Sequence, residues 1–274
     1  MFFTYYTADD MRKLIVFTIH IIVAVYLTQA EAIDWSENYF PFDTAAMGTG
    51  GTFTRTVFSQ RLSPALSEND EYAASTAFLP DINVYYFAVS KYDITADLFY
   101  YRWGKEDWRD ENGALLGDFY ASDYSFSLGY TRTFGIFRPA LQIRYQVKEI
   151  GNTQFTVWKI APSCVVSYKN ILAGASWLDP AANIISVFGS YDAQYAELSA
   201  RVDYDEDIIA GFGAKIFLTQ SRIASVSLGM NDGHLTSGLI LTNSALSFSY
   251  GVSFIEEGFT VHNFGLHYRL RGEQ

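Results

Sequence analysis

The chain has 274 residues, 49% of them hydrophobic and 17% aromatic, and carries a formal net charge of −11. That length and apolar content suffice for one large core or one large barrel, and the acidic balance provides no basic stripe to neutralise phosphates, which argues against a nucleic-acid partner. The single cysteine, Cys164, excludes an internal disulfide framework and reads as a small apolar filler.

Ten residues, Met1 to Asp10, place acid ahead of Met11-Arg12-Lys13, which leads into an apolar run from Leu14 to Leu27 and a small-x-small exit at Ala30-Glu31-Ala32. A basic start, a short apolar stretch and such an exit are the parts of a secretory signal peptide. Residues 1–32 are therefore read as a signal, with Met11 as the true start and export from the cytoplasm as the consequence.

Residues 33–69 differ in character. Thr44 to Phe53 is small and glycine-rich, with Met47, Gly48, Gly50 and Gly51, and is followed by Arg61-Leu62-Ser63-Pro64-Ala65-Leu66. No Gly-Lys-Ser/Thr follows, so a phosphate-cradling loop is disfavoured. Small residues that let backbone pack closely inside a barrel mouth are the better reading.

From residue 70 onward the dominant signal is alternation. Tyr124, Phe126, Leu128 and Tyr130 oppose Ser125, Ser127 and Gly129; Leu141, Ile143, Tyr145 and Val147 oppose Gln142, Arg144, Gln146 and Lys148. Ala196 to Val202 alternates with Glu197, Ser199, Arg201 and Asp203, and Ala224 to Met230 with Ser225, Ser227 and Gly229. Leu246, Phe248, Tyr250, Val252 and Phe254 oppose Ser247, Ser249, Gly251 and Ser253. In a strand these sets point to opposite faces. The segments run to roughly ten residues, the length of a tilted transmembrane strand, and turn signals such as Lys169-Asn170 and Asn231-Asp232-Gly233 separate them. About fourteen strands fit between Asp70 and Leu270. The polar faces are rich in Ser and Gly and carry inward charges such as Arg144, Lys148, Glu197 and Arg201, awkward in a dry sandwich core and tolerable in a polar lumen. The prediction is an all-β, transmembrane antiparallel barrel over residues 70–274, its greasy face turned to lipid. One strand, Ile82 to Tyr92, is apolar on both faces, which suits a greasy lumen wall or a strand covered from inside.

Little chemistry emerges. His234, His262 and His267 lie near no Gly-x-Ser-x-Gly elbow, and His262 and His267 point to opposite faces. No catalytic residue, cofactor or metal site is expected. Asp203-x-Asp205-x-Asp207 is a weak match to a calcium loop, lacking its Gly and distal Glu. Glu106-Asp107-Trp108-Arg109-Asp110-Glu111 is read as a charged loop whose Trp108, with Arg109 and Asp110, could anchor a partner protein.

Two stretches carry a resemblance. Ala45-Ala46-Met47-Gly48-x-Gly50-Gly51-x-Phe53 with Ser63-Pro64-Ala65 resembles the start of the PorV/PorQ family, in which the proline is preceded by Asn. The turn Asp110-Glu111-Asn112-Gly113, followed by Leu116-Gly117-Asp118-Phe119-Tyr120-Ala121-Ser122-Asp123-Tyr124, resembles a PorQ segment. The resemblance implies a FadL-like outer-membrane barrel of fourteen strands with its N-terminal segment folded inward. It further implies a place in type IX protein secretion and cell-surface attachment, with surface or secretion-complex proteins and outer-membrane lipid as partners. The alternative function is a FadL-like channel for hydrophobic small molecules.

Overall fold

Among the described residues sixteen strands account for nearly all regular structure, and fourteen of them close into one antiparallel barrel. The structure, a computed structural model, describes residues 49, 52–68, 70–79, 82–103, 106–109, 115–119, 121–151, 153–180, 183–205, 208–254 and 260–270. The expected signal peptide, Met47, Gly48, Gly50, Gly51 and the turn Asp110-Glu111-Asn112-Gly113 lie outside the described residues.

The strands are β1 (Glu71–Leu79), β2 (Ile82–Lys91), β3 (Ile94–Trp103), β4 (Glu106–Arg109), β5 (Leu115–Phe119), β6 (Ala121–Thr131), β7 (Phe137–Ile150), β8 (Thr153–Tyr168), β9 (Ile171–Asp179), β10 (Ile184–Asp192), β11 (Ala196–Tyr204), β12 (Ile208–Phe217), β13 (Ala224–Asn231), β14 (His234–Asn243), β15 (Leu246–Phe254) and β16 (Thr260–Arg269). Each barrel strand pairs with its sequence neighbours, β3 passes directly to β6, and β1 pairs with β16 to close the wall. Closure removes both sheet edges, the requirement for a strand structure that spans hydrocarbon. Strands β4 and β5 form a separate two-stranded sheet between β3 and β6. This corrects one expectation: Glu106–Arg109 is a strand, not a charged loop, because its backbone finds ladder partners in β5, with Trp108 opposite Gly117 and Glu106 opposite Phe119.

The predicted alternation sorts the two faces. On β3, Ile94 and Leu98 are exposed outward, whereas Thr95, Asp97 and Phe99 are buried inward. On β13, Leu228 is 59% exposed and Ser227 is 3% exposed. On β15, Leu246, Phe248 and Phe254 look out and Ser249 looks in. The exposed side chains are thus the greasy ones, an inside-out arrangement relative to a water-soluble protein. Exposed Tyr72, Tyr130, Tyr168, Tyr191 and Tyr268 cluster at the rim where β1 begins and β16 ends, and Phe78, Tyr204 and Phe254 at the far rim, as interfacial aromatic girdles do. Between β13 and β14 the chain turns through Asp232 and Gly233, both at positive φ (47° and 81°), the geometry that matches the twist of a tight hairpin.

Candidate functional site in the barrel lumen

What fills the barrel is its own chain. Residues 52–68 run through the interior as two short 3-10 turns, Val57–Ser59 and Pro64–Leu66, joined by a hydrogen-bonded turn in which the Leu62 and Ser63 amides donate to the Ser59 carbonyl. Ser63 caps the second turn by accepting from the Ala65 amide, and Pro64 starts it with a pre-set φ. Phe53, Phe58, Leu62, Ala65 and Leu66 are all buried, as are Gln60, Arg61 and Ser63. The expected motif residues Pro64 and Ala65 therefore lie packed inside the wall.

The segment's route explains why the wall is lined with small residues. A Cβ on Gly213 of β12 would sit 2.5 Å from the Thr49 carbonyl group, and one on Gly129 of β6 would sit 2.6 Å from Pro64 Cγ and 2.4 Å from Thr95 Oγ1. Glycine is required at both places by close approach of the inner chain. Gly129→Val should push the Pro64 turn off the wall at a cost of about 1–3 kcal/mol, the usual penalty of overpacking. Guanidinium unfolding of the bilayer-inserted protein measures it, and unchanged stability would contradict this packing.

The polar centre of the lumen is built around Asp97. Its Oδ1 accepts from Arg61 Nε at 2.9 Å and from Arg61 Nη2, while Oδ2 accepts from Gln60 Nε2 at 2.9 Å and from Ser127 Oγ. Arg61 Nη2 also donates to Ser125 Oγ at 2.7 Å. Gln142 Nε2 donates to Ser127 Oγ, and Arg144 Nη2 donates to the Arg61 carbonyl at 3.0 Å and to Gln142 Oε1 at 2.8 Å. Strands β3, β6 and β7 thus hold Arg61 at both its side-chain guanidinium and its backbone carbonyl. The Arg61 and Asp97 side chains are 7% and 0% exposed, so the pair is stable only because nearly every lone pair and N–H is matched. The guanidinium also lies over the Phe99 ring, 5.1 Å from its centroid. Further along, Ser63 Oγ meets Ser163 Oγ at 2.8 Å, and Arg138 at the rim donates to the Ser67 carbonyl at 2.7 Å.

An apolar wall lies beside this latch. Val84, Tyr86, Phe99, Tyr101 and Val261 form one buried cluster, and Phe58 of the inner segment packs on it, 6.5 Å from the Tyr86 ring. Strand β2 is therefore apolar on both faces because Phe58 covers it from within while Tyr85 and Phe87 face outward. On the opposite side Phe53 packs against Phe188.

The remaining predicted residues fall apart spatially. His262 is exposed on the outer face, where its Nδ1 meets Tyr250 Oη at 2.7 Å; His267 faces inward and meets Glu71 at 3.0 Å. Asp203 accepts from Arg201 at 2.7 Å inside the barrel, while Asp207 of the weak calcium-loop match lies outside the described residues. Among the described residues no group of three His, Cys, Asp or Glu side chains is placed to hold a metal ion. Asp123 is buried on β6, pointing into the lumen like Ser125. Cys164 is half-buried on β8. Trp108 and Arg109 sit in β4 and Phe119 ends β5, so the sequence motif brackets the small hairpin.

No protein-family model and no curated protein matches the sequence. Among solved structures, the fold is similar to TbuX, a toluene transporter of Ralstonia pickettii, with 10% identity, 84% of this chain and 98% of that chain covered, and a TM-score of 0.57. TodX, the toluene transporter of P. putida, gives 8% identity, 83% and 98% coverage and a TM-score of 0.57. This chain is an outer-membrane β-barrel. A FadL homologue of Pseudomonas aeruginosa shares the fold at 9% identity, with 82% and 98% coverage and a TM-score of 0.54, so the neighbours of this outer-membrane barrel are FadL-like.

Proposed function

We propose that this outer-membrane barrel is a non-enzymatic pathway for small hydrophobic molecules, closed at rest by the inner segment 52–68. The observation that carries the reading is the juxtaposition of an apolar inner wall (Tyr86, Phe99, Tyr101 and Val261) with a segment whose Phe58 already occupies it. A small apolar solute has the same chemistry as the Phe58 side chain and would compete with it for the same surface. The toluene-transporter neighbours support this solute class. The expected result is saturable heat on titrating toluene into the detergent-solubilised barrel, stronger in Phe58→Ala, which vacates the wall. Absence of saturable binding in both proteins would sink the proposal.

A second reading rests on the β4–β5 hairpin, which stands apart from the wall within the stretch that resembles PorQ. On this reading the barrel is of the PorV/PorQ type, and Trp108, Arg109 and the adjoining Asp110 hold a surface or secretion-complex protein at the outer membrane. Replacing all three by Ala should abolish co-purification of that protein from native outer membranes in mild detergent. A barrel that arrives alone before any replacement counts against it.

A further inference from the structure

A cavity bordered by Phe58, and otherwise lined by residues outside the apolar wall, opens at the rim where β1 begins and β16 ends. Its volume is about 300 Å³, at the small end of the range for ligand sites, and it lies between the inner segment and the rim ends of β10–β16. Its charges are unevenly matched. Arg222 is paired with Asp192 at 2.8 Å, Lys215 with Glu197, and Arg269 and His267 both face Glu71, at 3.6 Å and 3.0 Å. Arg55, on the inner segment, is different. Its Nη2 reaches Ser190 Oγ at 3.3 Å, its buried Nε has no partner, and among the described residues no carboxylate pairs with it. Hydroxyls of Ser225, Thr242, Ser247 and Ser249 line the same space, and Phe58 and Ile240 add apolar wall. Although the chain is acidic overall, four lining cations (Arg55, Lys215, Arg222 and Arg269) meet three carboxylates (Asp192, Glu197 and the adjoining Glu71), which leaves Arg55 over.

We infer that this cavity binds a small organic carboxylate, its oxygens received by Arg55 and the facing hydroxyls and its short apolar body lying against Phe58. A part-buried guanidinium that no carboxylate among the described residues neutralises offers a charge-assisted hydrogen bond whose ionic part a neutral ligand cannot supply. The hydroxyls satisfy a carboxylate's remaining lone pairs without adding charge. The inference does not depend on passage of apolar solutes through the lumen.

The test uses benzoate as probe and benzyl alcohol as its neutral counterpart, titrated calorimetrically into the full detergent-solubilised barrel at low ionic strength. Saturable benzoate binding is expected, weakened about tenfold or more in Arg55→Gln and partly restored in Arg55→Lys. Ser247→Asp, which places a carboxylate in the same cavity, should weaken it similarly while leaving Arg55 in place, so the test survives if the Arg55 variant fails to fold. Benzyl alcohol should respond to neither change. Absence of saturable benzoate binding, unchanged affinity in the folded variants, or equal losses for both probes would overturn the inference. A failure of toluene titration with intact benzoate binding would sink the channel proposal alone.

Discussion

Asp97→Ala is expected to release the inner segment while leaving the barrel closed. The substitution strands the Arg61 guanidinium in a site where it is 7% exposed and removes the acceptor of Gln60 and Ser127 in the same step. Breaking a buried pair by deleting one partner costs about 3–5 kcal/mol, because the remaining charge keeps its desolvation penalty without its compensation. The wall itself loses no ladder bond, since β2, β3 and β6 are held by backbone pairing. Two readouts separate the layers. Trypsin should cleave at Arg55 or Arg61 in the variant and not in the parent, and single-channel conductance should rise. Heat-modifiable gel mobility should stay that of a folded barrel. Cleavage and conductance equal to the parent's would show that Asp97 does not hold the segment. Asp97→Leu combined with Arg61→Leu should be milder than either change alone, the coupling expected of neighbours in one network.

Leu228→Arg is the second large effect, and it tests which solvent the outer face meets. Leu228 lies mid-strand in β13 and is 59% exposed. On a water-facing surface such a change would be close to neutral. Facing hydrocarbon near the midplane it should cost about 2–4 kcal/mol of folding free energy into lipid vesicles, with a smaller cost for the same change at rim position Leu246. Equal, negligible costs at both positions would contradict a lipid-facing surface.

How much of this was legible in the sequence varies with the range of the interaction. The barrel was legible because strand alternation is local: Leu228 against Ser227 or Phe248 against Ser249 announces a two-faced strand without knowledge of its partners. The inward position of Arg144 could be read from the same period. Asp97 was not singled out, although its strand carries the signal, a carboxylate on the face opposite Leu98. Its role depends on Arg61, 36 residues earlier, and no local pattern predicts that pairing. Asp203 shows a pairing that the sequence did carry: Arg201 and Asp203, two apart on one face of β11, are positioned by strand period to satisfy each other. The Trp108 segment read as a loop because four residues are too few for alternation to show, and only pairing with β5 makes it a strand.

The pairing of β1 with β16 has a consequence for the order of assembly. Contacts from Glu71↔Arg269 to Phe78↔His262 join the first and last strands of the wall, so the cylinder cannot shut until the end of the chain has arrived. Such a seam carries the largest loop-closure penalty in the molecule and pays back only when it zips, which makes it a late and slow event. Segment 52–68 precedes β1 and must already be tucked inside the curling sheet when this happens. Its partners favour that sequence of events: β3, β6 and β7 lie far closer to Gln60 and Arg61 in sequence than β16 lies to β1, so they can gather these residues against an open, half-formed wall. The last hairpin then acts as a door that closes on cargo already stowed. Glu71, fully buried and facing both His267 and Arg269, is the clasp on that door.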